Sequence, residues 1–343
     1  MSKGSKIWKG LLAGGAGITA LAAVNAQIAR GRRKRSDPLA PQIETADAPP
    51  LKPDFGGEAQ LYKWEQADIF YRVAGSSSAP PIVLIHDISA GASHFLWRRN
   101  FDELARDFQV FALDLPGFGA SAKPPLAPYS ADFYVAALAD FLRNIVGRRA
   151  HLIASSLGAA FAIRAADEHR SLVGKLILLS PPIANLTRPG VSGAAFYGLL
   201  HSPVLGTSFY NAVASERSIR DHARKHLFYD KRLATDRLVA HLYRLSHQPG
   251  AQHATSAFLS GYLNTDVRAA FARLRSSVTV AWGADDDLNP ATHAESFVRL
   301  NPSARLVVFK NARAWFQEEC APDFNELVRE QLTFTAPKLA AIA

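Results

Sequence analysis

Short, unbroken apolar runs alternate along this chain with stretches whose apolar residues recur every three or four positions. The run Ile82-Val83-Leu84-Ile85 has no polar side at all, as a central parallel strand covered on both faces requires. Two shorter strands are predicted before it, over 61–64 and 67–73, separated from it by the Ser76–Ser78 and Pro80-Pro81 turn. Residues 95–107 follow helical spacing, 110–113 read as a strand, and Ser130 is placed to cap a helix running to about Val146, its apolar face carried by Phe133, Ala137, Leu138, Phe141 and Ile145. Further strands are expected at 151–154, 175–179, 278–282 and 306–309, with a last helix over 323–332. Such alternation predicts the α/β class: a mostly parallel central sheet with helices on both faces.

Between about 184 and 274 the pattern changes to helices and loops with no buried-strand run, which reads as a helical cap inserted over one end of the sheet. The expected organisation is therefore a core of 60–183 and 275–335, the insertion 184–274, a tail 336–343, and two segments ahead of the core. Residues 36–59 form a Pro-rich linker. Residues 1–35 hold an uncharged run, Gly10 to Ala29, about the length that spans a bilayer.

Charge sharpens the picture of that first segment. Eight of the 39 basic residues lie in residues 1–36 with no acidic one, so the remainder is nearly neutral at 31 basic against 30 acidic. Eight of the nine formal positive charges belong to that first segment, which argues against a nucleic-acid-binding body. The Arg30–Arg35 cluster behind the apolar run predicts a membrane anchor with the domain facing the cytoplasm. Export after cleavage of a signal peptide near Val24-Asn25-Ala26 is the alternative. The single cysteine, Cys320, rules out an intramolecular disulfide or a CxxC site. No cofactor and no metal are expected. His222 and His226 have an i,i+4 spacing that can bind zinc, but with no third ligand in sight they read as a solvated helix face.

The chemistry-bearing stretch is His151-Leu152-Ile153-Ala154-Ser155-Ser156-Leu157-Gly158-Ala159-Ala160. A buried strand meets a serine and then a small-residue helix. Ala154 and Gly158 flank Ser156 at minus two and plus two, leaving room for a sharp turn that exposes the hydroxyl. Simple N-capping by Ser155 or Ser156 is the other reading. Three more segments stand in the matching order. They are the His86 segment after a buried strand, the run Asp114 to Ser121, and Trp282-Gly283-Ala284-Asp285-Asp286-Asp287-Leu288-Asn289-Pro290.

Together these segments resemble the α/β-hydrolase superfamily over roughly residues 60–335. The resemblance implies Ser156 as nucleophile, Asp286 as the triad acid, and the backbone amides of Ile88 and Leu157 as the oxyanion hole. It also locates a break. The family writes Gly-His-aromatic after the last strand, where this chain has Arg313-Ala314-Trp315, so Ala314 occupies the histidine position. Alanine accepts no proton. The usual His-Gly is here His86-Asp87, and a carboxylate within about 5 Å of a forming oxyanion repels it by roughly 3 kcal/mol unless it turns to solvent. His94, His247, His253 and His293 are the candidates for a displaced base.

The implied function is hydrolysis of an ester or similar bond in an apolar small molecule through Ser156, impaired or unconventional for want of the histidine. A non-hydrolytic, membrane-tethered ligand-binding or accessory protein on the same scaffold is the alternative. Aromatic residues of the insertion, among them Phe196, Tyr197, Phe209 and Tyr210, suit packing or the lining of an apolar pocket.

Overall fold

The computed structural model describes residues 22–27, 56–182, 191–202 and 204–333. Its frame is one eight-stranded sheet in the order β1-β2-β4-β3-β5-β6-β7-β8. The strands are β1 Glu58–Tyr62, β2 Ile69–Ala74, β3 Pro81–Ile85, β4 Gln109–Leu113, β5 Ala150–Ser155, β6 Val173–Leu179, β7 Val278–Gly283 and β8 Arg305–Phe309. β2 is antiparallel to β1 and β4, and the remaining pairings are parallel. Burial follows position. β3 and β7 are buried at every residue, whereas the edge strands β1 and β8 keep exposed positions.

The described helices are α1 (22–27), α2 Phe101–Leu104, α3 Ala131–Phe141, α4 Leu157–Glu168, α5 Val191–Leu200, α6 Leu205–Val213, α7 Glu216–His222, α8 Asp236–Ser246, α9 Ala251–Leu259, α10 Arg268–Ala272, α11 Ala294–Leu300, α12 Phe316–Glu319 and α13 Ala321–Thr333. One face of the sheet buries Phe133, Phe161, Phe271 and Phe297 from α3, α4, α10 and α11. The other buries Phe101, Phe316, Phe324 and Leu242 from α2, α12, α13 and α8. Each such side chain contributes about 1.5–3 kcal/mol by leaving water.

Between β6 and β7 the described residues hold α5 to α10 and no strand. The last of these helices, α10, is part of the sheet packing, because its Phe271 meets Phe297 of α11 edge-on at 4.8 Å.

Three expectations shift. The helix foreseen over 95–107 is split into a 3-10 turn, His94–Trp97, and the short α2. The break falls at Asn100, whose buried Nδ2 donates to the Gln317 carbonyl at 2.8 Å and the Asn325 Oδ1 at 2.9 Å. The first strand starts inside the expected linker, at Glu58, and Trp64 lies beyond it, packed on Phe133. The helix capped by Ser130 leaves regular α geometry after Phe141, makes one π turn over Leu142–Val146, and stops at Gly147 with φ 68°.

Most of the predicted membrane-anchor or signal-peptide segment lies outside the described residues, as does most of the linker. Its described part, α1, sets Asn25 against the insertion: Asn25 Nδ2 donates to the Val204 carbonyl at 3.2 Å and the Ser208 hydroxyl at 3.1 Å. Among the described residues no helix is long and apolar enough to cross a membrane.

Candidate active site

Strand order sets the location. The chain leaves β3 towards β4 on one side and then places β5 on the other side of β3. The loops leaving β3 and β5 therefore diverge and open a crevice at the carboxyl ends of the strands. His86 to Ile88 follow β3, and Ser156 follows β5.

Ser156 sits at φ 51°, ψ −127°, immediately before the first residue of α4. A non-glycine residue held there is strained, by about 1–3 kcal/mol. The turn is fixed by the Ser156 amide, which donates to the Leu179 carbonyl of β6 at 2.8 Å. It is also fixed by Gly158, where any Cβ would strike the His86 carbonyl oxygen. The Ser156 side chain makes no capping bond to α4. The N-capping alternative is thus corrected: strain and close packing hold the serine, and its hydroxyl does not serve the helix. The amide of Leu157 opens α4, and Ile88 lies 5% exposed in the loop after β3.

Of the three consecutive aspartates, only Asp286 is buried. Its Oδ1 accepts from the amides of Leu288 at 3.1 Å and Asn289 at 3.0 Å. Burial raises its pKa, against the lowering effect of the Asn289 amide, the Ser180 hydroxyl and the Leu288 amide. Asn289 in turn donates from Nδ2 to the Ser180 carbonyl at 2.9 Å, tying the acid loop to the end of β6.

Ala314 occupies the expected histidine place, in a loop stitched to the insertion. Trp315 donates its amide to the Leu227 carbonyl at 3.0 Å. Arg313 pairs with Asp287 at 3.0 Å and also donates to the Lys225 carbonyl. His226 Nδ1 stands 2.9 Å from the other oxygen of Asp287. Asp287 is therefore the carboxylate that local reading around His226 could not find, and the solvated-face reading becomes a half-exposed ion cluster. Among the described residues no group of His, Cys, Asp or Glu could hold a metal.

The candidate replacement bases have other partners. His94 Nδ1 is 2.8 Å from Asp114, His247 Nδ1 is 2.8 Å from the Tyr243 carbonyl, and His293 Nδ1 is 2.9 Å from Asn289 Oδ1. His253 lies ring to ring with His201 at 5.8 Å. None of these contacts reaches Ser156. His86 is structural: its Nδ1 donates to the Asp87 carbonyl at 2.5 Å, and its Nε2 accepts from the Leu115 amide at 2.9 Å. Burial drives its pKa down to about 4, so the ring is neutral.

Asp87 does not turn to solvent. It is 8% exposed, its Oδ2 accepts from the Trp315 indole at 3.2 Å, and its Oδ1 has no partner. Burial pushes its pKa up to about 6, only partly offset by Trp315 and Ser89. Sequence reading missed this contact, which joins residues 228 apart in the chain.

The two shifts pull stability in opposite directions. Asp87 has a folded pKa above its unfolded value, so its contribution is full below pH 3.8 and is lost as pH rises through about 6. His86 has a folded pKa below its unfolded value of 6.5, so its contribution is full above that and lost as pH falls towards about 4. Removing the charge of Asp87 with Asp87→Asn is expected to stabilise the fold at pH 7.5 by about 3 kcal/mol. The gain should vanish below pH 4, leaving the His86 dependence in view. Urea melts of both proteins between pH 4 and 8 measure it; equal stability at pH 7.5 would contradict the buried charge.

The model of the α/β hydrolase fold family matches residues 80–321. Among curated proteins, the chain is 28% identical over 83% of its length, and 96% of the relative's, to a 2-hydroxymuconate semialdehyde hydrolase of a Pseudomonas species. It is 27% identical over 74% of its length, and 88% of the relative's, to the 2-hydroxy-6-oxo-2,4-heptadienoate hydrolase of Pseudomonas putida. Similarity at 28% identity, over 81% of this chain and 71% of the relative, also extends to the dihydrolipoyllysine-residue acetyltransferase component of the acetoin cleaving system of Cupriavidus necator. Among solved structures, a meta-cleavage product hydrolase from Pseudomonas fluorescens superposes with a TM-score of 0.64 at 24% identity, covering 77% of this chain and 93% of that one.

Proposed function

The chain belongs to the α/β-hydrolase fold family, and on that premise we propose that it hydrolyses a small apolar carbonyl compound, an ester or a similarly activated bond, with Ser156 as nucleophile. The observation that carries this reading is the strained backbone of Ser156 at the start of α4. Strain of that kind persists only where the surroundings enforce it, and it holds a hydroxyl clear of the helix it precedes. The Leu157 and Ile88 amides are assigned to the oxyanion formed when Ser156 adds to the carbonyl. The relatives' names describe hydrolases of small unsaturated carbonyl compounds, a 2-hydroxy-6-oxo-2,4-heptadienoate and a 2-hydroxymuconate semialdehyde.

Asp286 has the place of the triad acid but no imidazole at residue 314 to orient, so slow turnover is expected. That gap also favours a second reading, a ligand-binding protein that performs no hydrolysis.

Covalent labelling separates the two. A fluorophosphonate probe should modify the protein at Ser156, identified by mass spectrometry, and the modification should stop turnover of nitrophenyl esters. A protein that resists the probe and turns over no ester in a panel of chain lengths fits the non-hydrolytic reading instead.

A further inference from the structure

The insertion presents an apolar face that the serine site does not use. Residues 189–215 carry no Asp, Glu, Lys or Arg, and they supply α5 and α6. On α6, Leu205, Phe209 and Ala212 recur at i, i+4 and i+7, and all three are exposed. Gly206 and Tyr210 are its buried side. That side is fixed, because a Cβ on Gly206 would strike the Leu200 carbonyl oxygen, and Tyr210 donates its hydroxyl to the Ser246 carbonyl of α8 at 2.5 Å. The apolar side of α6 is therefore held outward. α5 adds Ala194, Ala195, Gly198 and Leu199, all exposed. Phe196 of α5 meets Phe209 edge-on at 6.1 Å, which joins the two helices into one surface.

The helix α1 completes it. Asn25 accepts from Asn211 Nδ2 at 3.0 Å, beside its bonds to Val204 and Ser208, and the neighbouring Val24 is 52% exposed. Of the nine large apolar side chains exposed among the described residues, four lie on these three short helices: Val24, Leu199, Leu205 and Phe209. Scattered exposed apolar residues are ordinary, but an uncharged cluster of them marks a contact surface.

We propose that α1, α5 and α6 together form a membrane-docking face, which rests in the interfacial region of an anionic lipid bilayer. The inference is independent of the role of Ser156.

The chain that runs through α1 argues for lipid. Residues 10–29 carry no charge, and Arg30, three residues beyond Gln27, opens a cluster of five basic residues with no acidic one. Apolar side chains at the acyl boundary and basic ones at the headgroups are the pattern of an interfacial anchor, which lies in the plane of the surface and needs no spanning helix. A folded protein partner calls for charged groups to fix its register, and residues 189–215 offer none. Docking through the insertion also orients the whole domain on the surface, which a tether alone does not do.

The test uses the full chain carrying Cys320→Ser, so that one introduced cysteine holds an environment-sensitive fluorophore. Phe209→Cys reports the face. Leu61→Cys, 50% exposed on the edge strand β1, reports the surface elsewhere. With vesicles of phosphatidylcholine and phosphatidylglycerol, the Phe209→Cys label should shift to the blue and be quenched by nitroxide-bearing lipid, while the Leu61→Cys label stays open to iodide. Salt should weaken binding towards the level seen with phosphatidylcholine alone. Full burial of a Leu or Phe side chain is a roughly ten- to hundredfold effect, and two half-exposed ones together account for about as much. Leu205→Gln with Phe209→Gln, which keeps helix propensity, should therefore lower vesicle partition by that factor.

Vesicle binding that leaves the Phe209→Cys label as open to iodide as it is in buffer would overturn the proposal, because the N-terminal segment alone would then hold the protein. Absence of vesicle binding would overturn it too, and equal binding to phosphatidylcholine alone would overturn the preference for anionic lipid. A label already shielded in buffer also counts against it. Shielding that grows with protein concentration means that a second copy of the chain covers the face, and shielding at every concentration means that another part of the same chain does. The labelled proteins decide the matter even if the double Gln variant does not fold.

Discussion

Ser156→Ala is expected to lower ester turnover on the order of 10³-fold or more, to the level that binding and an oxyanion hole sustain without a nucleophile. KM should change little, because the hydroxyl is small and the crevice is shaped by the loops after β3 and β5. The substitution also replaces one strained non-glycine residue by another at φ 51°, so the elbow persists and the loss is chemical. Steady-state rates with nitrophenyl acetate and longer esters, with urea melts as a control for folding, measure both. Equal rates in the two proteins would show that whatever slow hydrolysis exists does not pass through Ser156. The ligand-binding reading would then stand in its place.

The largest loss of stability is expected at Asp114, at the end of β4. Its fully buried carboxylate accepts from the His94 amide at 2.6 Å, from His94 Nδ1 at 2.8 Å and from the Ala120 amide at 2.7 Å. Burial pushes its pKa up, but His94, His86 and the Ala120 amide outweigh this and hold it below the ordinary value. The carboxylate fits only because Gly119, at φ 50°, has no Cβ, which would meet it directly. Asp114→Ala strands these buried donors together, and a loss of about 3–5 kcal/mol is expected. Urea denaturation at pH 7 tests it, and a loss under 1 kcal/mol would mean that water replaces the carboxylate. Because the same loop passes Gly117 against Ala254 of α9, activity should fall with the fold's rigidity and not merely with its stability.

How much of this was legible beforehand follows from the range of the interactions involved. β3, β5, β6 and β7 could be read from their apolar runs because a strand covered on both faces has no polar side to display. The turn at Ser156 could be read because its requirements, small residues two positions either way, are local. Asp286 was picked from its two acidic neighbours by register within one loop, and of the three it alone is buried.

Other features depend on partners far along the chain. Helical spacing over 95–107 was real, yet Asn100 gains more from buried hydrogen bonds to Gln317 and Asn325 than from continuing the helix. His222 and His226 read as a solvated helix face because Asp287, the partner of His226, is 61 residues away from it. The chain by itself determined the strands and the serine turn, since each is written in contiguous residues. Only the tertiary structure decided where Asp87 goes. Its sequence neighbours allow it to face water or the interior, and the choice is made by Trp315, brought 228 residues back onto the loop after β3 by the closing of β8 onto the sheet.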